Sequence, residues 1–277
     1  MKKTSFYLLA TMVLSMTGCK KMYDVYIANP KAVQNICRIA QLTFYIGGNS
    51  AIYNISYDKN GNVTSMLTDK YSSAGRENFY FRYDKKNRLT DRLFVYVGNT
   101  GVVGWDSYIY FPDKIMDTSY YYAGYITDPH PPYDAWDKKW AVLNSDAHGR
   151  VSREIRFIPL SVTPTTNMFI DTVYYKYNKD GNLVFESPIL PPVYDEQINP
   201  YLTNSMWQLV NRNYSVNNAT DNFFFSSMFP EIVRYNAYGL PTKYIRPKYS
   251  GYRPVLFNIE CDSLEIAYDC DMSKKNY

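Results

Sequence analysis

The chain has 277 residues, and its 30 Lys and Arg against 26 Asp and Glu leave it close to electrical neutrality, which supplies no electrostatic case for nucleic-acid binding, so no nucleic-acid partner is expected. Its 30 Tyr and 14 Phe, with frequent Val, Ile and Thr, suit pleated surfaces more than helices, so an all-β class is expected. The length allows a substantial core, in one large domain or two smaller ones.

In chain order, the first element is an export signal. Lys2 and Lys3 form a positive start, and Phe6 to Leu14 form an apolar stretch too short to span a bilayer, which takes roughly 20 residues. Ser15-Met16-Thr17-Gly18-Cys19 follows where that stretch ends. It resembles the lipobox of bacterial lipoproteins, which implies cleavage before Cys19 and a diacylglyceryl (and palmitate-labelled) anchor on its sulfur. Two or more acyl chains anchor stably, whereas one is marginal. Residues 1–18 are thus expected to be a signal peptide, 19–35 a tether, and 36–277 a single domain. Lys20 and Lys21 stand where an acidic surface-export signal would lie, so the address is the cell envelope, with the outer membrane preferred and the facing leaflet open. Without residues 1–18 the charge count is 28 against 26.

Five later segments share one pattern: 57–63, 83–89, 145–151, 177–183 and 235–241. Each carries Asp or Asn at the first turn position (Asp58, Asp84, Asp146, Asn178, Asn236) and Gly or Asn three residues on, at the fourth (Gly61, Asn87, Gly149, Gly181, Gly239). An Asp or Asn side chain accepts from backbone N–H groups two residues on and starts a turn. The later position needs positive φ, which Gly takes freely and Asn tolerates. Each segment therefore predicts a β-hairpin tip, and Asp113 supplies another between 108–111 and 117–121.

Alternation outward from the tips predicts one apolar and one wet face. Tyr53, Ile55, Tyr57, Val63 and Leu67 share a side opposite Asn54, Ser56, Thr64 and Thr68. Phe79, Phe81, Tyr83, Leu89 and Leu93 oppose Tyr80, Arg82, Thr90 and Arg92. Val173, Tyr175, Tyr177, Leu183 and Phe185 oppose Thr172, Tyr174, Lys176 and Glu186. The expected fold is a long antiparallel meander of repeated hairpins forming a curved sheet or open barrel. One short helix near 202–210 is expected from Leu202, Met206, Leu209 and Val210. Loops are expected at 128–133, 159–167 and 187–199, places where binding residues tend to lie.

The tips, Tyr-Asp-x-x-Gly-Asn/Arg-Val/Leu, resemble the YD repeats of RHS-type proteins. With the lipobox, Ile36-Cys37-Arg38-Ile39, Tyr194-Asp195, Asn199-Pro200-Tyr201 and Asn213 to Asn218, the chain more closely resembles a Gram-negative envelope lipoprotein family of unknown function with a porin-like fold. That resemblance covers most of 36–270 and implies an antiparallel meander and no established activity.

No HxxxH, CxxC or GxSxG motif is present, and His130 and His148 are the only histidines, so no metal, cofactor or triad is expected. Asp134 with Asp137, or Asp195 with Glu196, are carboxylate pairs of the kind any β domain offers. Trp105, Trp136, Trp140 and Trp207 suit either a sugar-stacking platform or cross-strand packing, and packing is preferred. Tyr80, Arg82, Tyr96, Tyr174, Lys176 and Arg234 are expected on the wet side as a candidate binding face, since Tyr and Arg are enriched at binding hot spots. An exported compartment permits disulfides. Cys37 with Cys261 or Cys270, Cys261 with Cys270, and three free thiols all stay open. The function expected is a membrane-anchored, non-enzymatic binding or scaffold module for a protein or glycan ligand, with an envelope glycan hydrolase as the alternative.

Overall fold

The computed structural model describes residues 37–68, 77–98, 101–121, 124–131, 137–159, 168–184, 192–220, 230–247, 253 and 255–270. Cys19, the signal segment and the tether lie outside them, as do Trp136, Phe185 and Glu186.

Ten strands follow one another as an antiparallel meander. They are β1 (Cys37–Ile46), β2 (Asn49–Tyr57), β3 (Val63–Thr68), β4 (Glu77–Tyr83), β5 (Leu89–Tyr96), β6 (Val102–Tyr110), β7 (Ile115–Tyr121), β8 (Asp137–Ser145), β9 (Val151–Pro159) and β10 (Met168–Tyr174). Two short pairs come next, β11 (Lys176–Tyr177) with β12 (Leu183–Val184) and β13 (Tyr194–Ile198) with β14 (Asn217–Ala219). Between β13 and β14 lie a 3-10 turn, Pro200–Thr203, and one helix, α1 (Ser205–Asn211). The chain ends with β15 (Glu231–Tyr235), β16 (Pro241–Ile245), the pair β17 (Val255–Leu256) and β18 (Ile259–Glu260), and β19 (Ser263–Cys270). The last strand returns to pair with β1, and β16 and β15 extend beyond it. The described sheet therefore has 13 strands, open at β10 and β15.

The five tips form as their side chains require. Asp58 Oδ1 accepts from the backbone N–H of Asn60 at 2.8 Å and of Asn62 at 2.9 Å. Asp84, Asp146, Asn178 and Asn236 repeat both contacts. The fourth position takes positive φ in every tip, including Asn87 at +58°. The connection at Asp113 is tighter, closed by Phe111 N–H donating to Lys114 O at 2.9 Å.

The expected faces hold on the strand before each tip, and in β3 and β5 they fail on the strand after it. The register shifts next to Tyr57, Tyr83, Ser145 and Tyr235, where one extra residue is inserted. A bulge of one residue reverses the alternation beyond it. Val63 and Leu89 keep the core side, but Met66 and Thr68 turn inward, and Leu67 falls opposite Asn54. In β5, Arg92 and Phe94 face the core side, while Leu93 pairs with Tyr80 on the other surface. Thr68, Arg92, Leu67 and Leu93 thus occupy sides opposite to those expected.

The main core lies on the inner face. Trp207 of α1 stacks edge-on with Phe81 of β4 at 6.1 Å and with Phe257 at 5.2 Å, and Tyr201 meets Phe257 at 4.9 Å. Arg212, at the end of α1, pairs with Asp117 of β7 and lies 3.7 Å from Glu154 of β9. Asn204 reaches Gly61 between β2 and β3. One short segment touches strands spread across the meander, so the sheet bends around it. The helix is shorter than expected because Asn204, extended at φ −157°, caps it and leaves Leu202 in the preceding 3-10 turn.

A second cluster covers part of the outer face: Leu93, Val95, Val102 and Trp105, with Tyr80, Tyr120 and Ile126 against it. Cys37 is disulfide-bonded to Cys270 across the neighbouring strands β1 and β19, and Cys261 is a buried thiol that burial pushes up to about 12. The bond joins the two ends of the described chain within the sheet. It does not join the sheet's edges, which are β10 and β15.

Candidate functional site

At the end of the sheet where the hairpin tips gather, a cleft of ≈ 1140 Å³ opens between the tips and α1. The tip wall is ordered by tyrosines. Tyr83 Oη donates to Val63 O at 2.9 Å, Tyr177 to Val151 O at 3.0 Å, Tyr194 to Leu183 O at 2.7 Å and Tyr268 to Pro241 O at 2.8 Å. Each accepting carbonyl belongs to the last residue of a tip segment, so a tyrosine later in the chain ties that tip in place. Tyr57 makes the corresponding bond to Ile39 O at 2.8 Å. Burial drives the Tyr83 and Tyr177 phenols well above their ordinary range, which keeps them neutral donors.

Arginines lie over the rings of this wall. The Arg88 guanidinium stands 4.3 Å from the centre of Tyr110 and that of Arg150 stands 4.0 Å from Tyr177. Arg88 pairs with Asp84 at 2.6 Å and Arg150 with Asp146 at 2.7 Å. Burial tends to raise these two carboxyls, but the hydrogen bonds from Arg88 and Arg150 and from the turn N–H groups outweigh it and hold both below the usual range. The opposite wall is α1, contributing Ser205, Met206, Gln208 and Leu209, together with Tyr214 and Val216. Asn204 Oδ1 accepts from Met206 N–H at 3.0 Å and its Nδ2 donates to Gly61 O at 3.1 Å, so the residue that starts the helix also fixes it to a tip.

The inner face also carries a charge cluster in which Arg92, Arg156 and Arg212 meet Asp106, Asp117 and Glu154, with Asp171 3.9 Å from Arg156. Arg212 pairs with Asp117, and Glu154 accepts from Tyr175 Oη at 2.6 Å and from Arg156 Nη2 at 2.9 Å. Burial outweighs the charge of Arg212 and pushes the Asp117 carboxyl up to about 6. Burial acts the same way on Glu154, but there the Arg156 hydrogen bond and the Arg212 charge win and its carboxyl lies below the ordinary range. Asp117 Oδ1 has no hydrogen-bond partner among the described residues. A cavity of ≈ 170 Å³ lies beside this cluster, lined by Asp117, Ser119, Lys139, Glu154 and Arg156 among others.

A scan against protein-family models finds no match for this chain, and a search of curated proteins finds none. Among solved structures, one similar chain is a porin-like protein from Bacteroides vulgatus, 14% identical, with a TM-score of 0.40, over 83% of this chain and 98% of that one. A likeness this distant carries no statement about activity or ligand.

The residues expected to form a binding face are not brought together. Arg82 and Tyr80 lie on the outer face of β4 but are half-buried: the Arg82 guanidinium is 5.0 Å from the Trp105 ring and donates to Asp128 O at 2.5 Å and to Ile126 O. Tyr96 falls on the opposite, inner side, because the bulge at Tyr83 reverses β5. Tyr174 and Lys176 are exposed by the β10 edge, and exposed Arg234 lies in β15 at the far edge, opposite Lys243. Trp105 and Trp207 are buried, and Trp140 stacks on Phe157 across β8 and β9 at 5.5 Å, so these three form no shared platform. His148 lines the cleft and His130 does not. The cleft was missed because its walls are far apart in sequence. A signal that could have found it is the Arg directly after the tip asparagine or glycine, at Arg88 and Arg150, each of which lies over a tyrosine of a later strand, Tyr110 or Tyr177.

Proposed function

We propose that this chain is an envelope lipoprotein, anchored through lipid on Cys19 and assigned to the outer membrane, whose β domain is a non-enzymatic binding module with its ligand seated in the tip cleft. The cleft carries this reading: it is large enough for a sizeable ligand and is lined by Tyr and Arg side chains held rigid by the neighbouring tips. The lipobox resemblance at Gly18-Cys19 supports the anchoring. Replacing Gln208 with Trp places a bulky ring at the cleft wall without touching the main core. Gln208→Trp should keep the melting temperature within a few degrees yet lose retention on glycan arrays and on immobilised envelope fractions, while Tyr174→Ser should lose neither. Equal retention by the Gln208→Trp protein would reject the cleft.

A second reading, hydrolysis of an envelope glycan, has one observation in its favour. Asp117 and Glu154 are pushed apart in pKa beside a small cavity, as an acid and a base would be. Arg212 and Arg156 hold both carboxylates, so the cluster is accounted for as the anchor of α1 to the sheet. Turnover of envelope glycan that disappears in Asp117→Asn would favour hydrolysis.

A further inference from the structure

Resting on the reading of the cleft as a ligand site, we infer that its ligand is an uncharged, hydroxyl-rich chain, a neutral oligosaccharide. The first ground is charge. Both arginines that line the cleft are already paired, Arg88 with Asp84 and Arg150 with Asp146, and the Lys179 and Asp180 that also line it are of opposite sign. An anionic ligand would meet guanidinium groups already paired at 2.6 and 2.7 Å, and a cationic one would have to displace the arginines from Asp84 and Asp146.

The second ground is the set of polar groups left unspent. The hydroxyls of Tyr110 and Tyr214 make no hydrogen bond to another described residue, and neither is sealed from solvent. The side chains of Ser205 and Gln208 on α1 are equally unengaged, and Asn178, whose Oδ1 accepts two turn N–H groups, leaves its Nδ2 free. Hydroxyls and amides both donate and accept. A surface that mixes both capacities without net charge matches a ligand whose own groups do the same, which is the chemistry of a sugar hydroxyl. The tyrosine rings between these groups supply flat apolar area for the C–H faces of sugar rings. At ≈ 1140 Å³ the cleft exceeds the roughly 300–1,000 Å³ of ordinary small-molecule sites, so it has room for several linked rings.

The test uses the detergent-solubilised full-length protein and two probe sets in titration calorimetry: neutral hexasaccharides (of glucose, mannose and N-acetylglucosamine) and acidic ones (oligogalacturonate and sulfated hexasaccharide). At least one neutral probe should bind, with an affinity that changes less than about twofold between about 50 and 500 mM salt, because no charge is neutralised on binding. The double variant Tyr110→Phe with Tyr214→Phe, which removes only the two hydroxyls, should weaken that binding about tenfold and leave the melting temperature in place. Binding restricted to acidic probes and falling with salt would overturn the inference while leaving the cleft as the site. Retention of envelope material that Gln208→Trp abolishes, with no oligosaccharide bound, would also overturn it. An unaffected Gln208→Trp protein would instead remove the cleft reading beneath it.

Discussion

Gly149 and Gly181 hold the same place in two copies of one turn, at φ +77° and +81°, yet their surroundings differ. A Cβ at Gly149 would meet nothing within 4 Å, whereas at Gly181 it would lie 2.7 Å from Val216 Cγ2. Gly149→Ala should therefore cost only the left-handed backbone, about 1 kcal/mol. Gly181→Ala adds an overpacking term of about 1–3 kcal/mol. Urea unfolding of the two variants checks this, and equal losses would contradict it. Asp117 offers a second residue-scale test. Burial pushes its folded carboxyl up to about 6 from an ordinary 3.8, so the folded state keeps its proton to higher pH than the unfolded one. That contribution to stability is present at low pH and is lost as the pH rises from about 4 to about 6. Asp117→Asn cannot lose it. The melting temperature of the variant relative to the parent should rise between pH 4 and pH 6 and then level off, and a flat difference would sink the assignment. The turn residues were legible in the sequence because an Asp or Asn and a Gly three places on decide their geometry locally. The buried cluster was not, since Arg212 and Asp117 are 95 residues apart and no local pattern marks the pair.

Among the elements, α1 is held mainly by what it touches. A helix of seven residues has little stability of its own, so the Asn204 cap, the Trp207 contacts and the Arg212 ion pairs position it. Asn204→Ala removes both the cap to Met206 and the bond to Gly61, which should cost about 1–3 kcal/mol in chemical denaturation. A silent Asn204→Ala would show that Trp207 and Arg212 alone fix the wall. The strands show where sequence reading stops. Before each tip, alternation placed Tyr53, Phe79 and Phe81 correctly on the core side. After it, the extra residue of each bulge moved Leu93 and Leu67 across the sheet. The bulge belongs to the same turn chemistry that was recognised, but counting outward from the tip without the added residue inverts every later side chain.

At the scale of the whole molecule, the all-β meander was legible because the tips repeat, while the return of β19 to β1 and the openness at β10 and β15 depend on pairings between distant segments. The Cys37–Cys270 bond closes a sequence separation of 233 residues, and constraining so long a loop in the unfolded chain is worth several kcal/mol, about 5 at most. Cys37→Ser with Cys270→Ser should therefore lower the unfolding midpoint strongly. Peptide mapping without reductant should find that bond, with Cys261 as a thiol. The most direct test of the cleft is a hydrogen-exchange footprint of the full-length protein with and without its bound envelope ligand. The tips around Asp84, Asp146 and Asn178, together with Ser205–Asn211, should gain protection while residues 77–81 of β4 and all of β10 stay unchanged. Protection confined to β10 or to the outer face around Tyr80 and Trp105 would contradict the account.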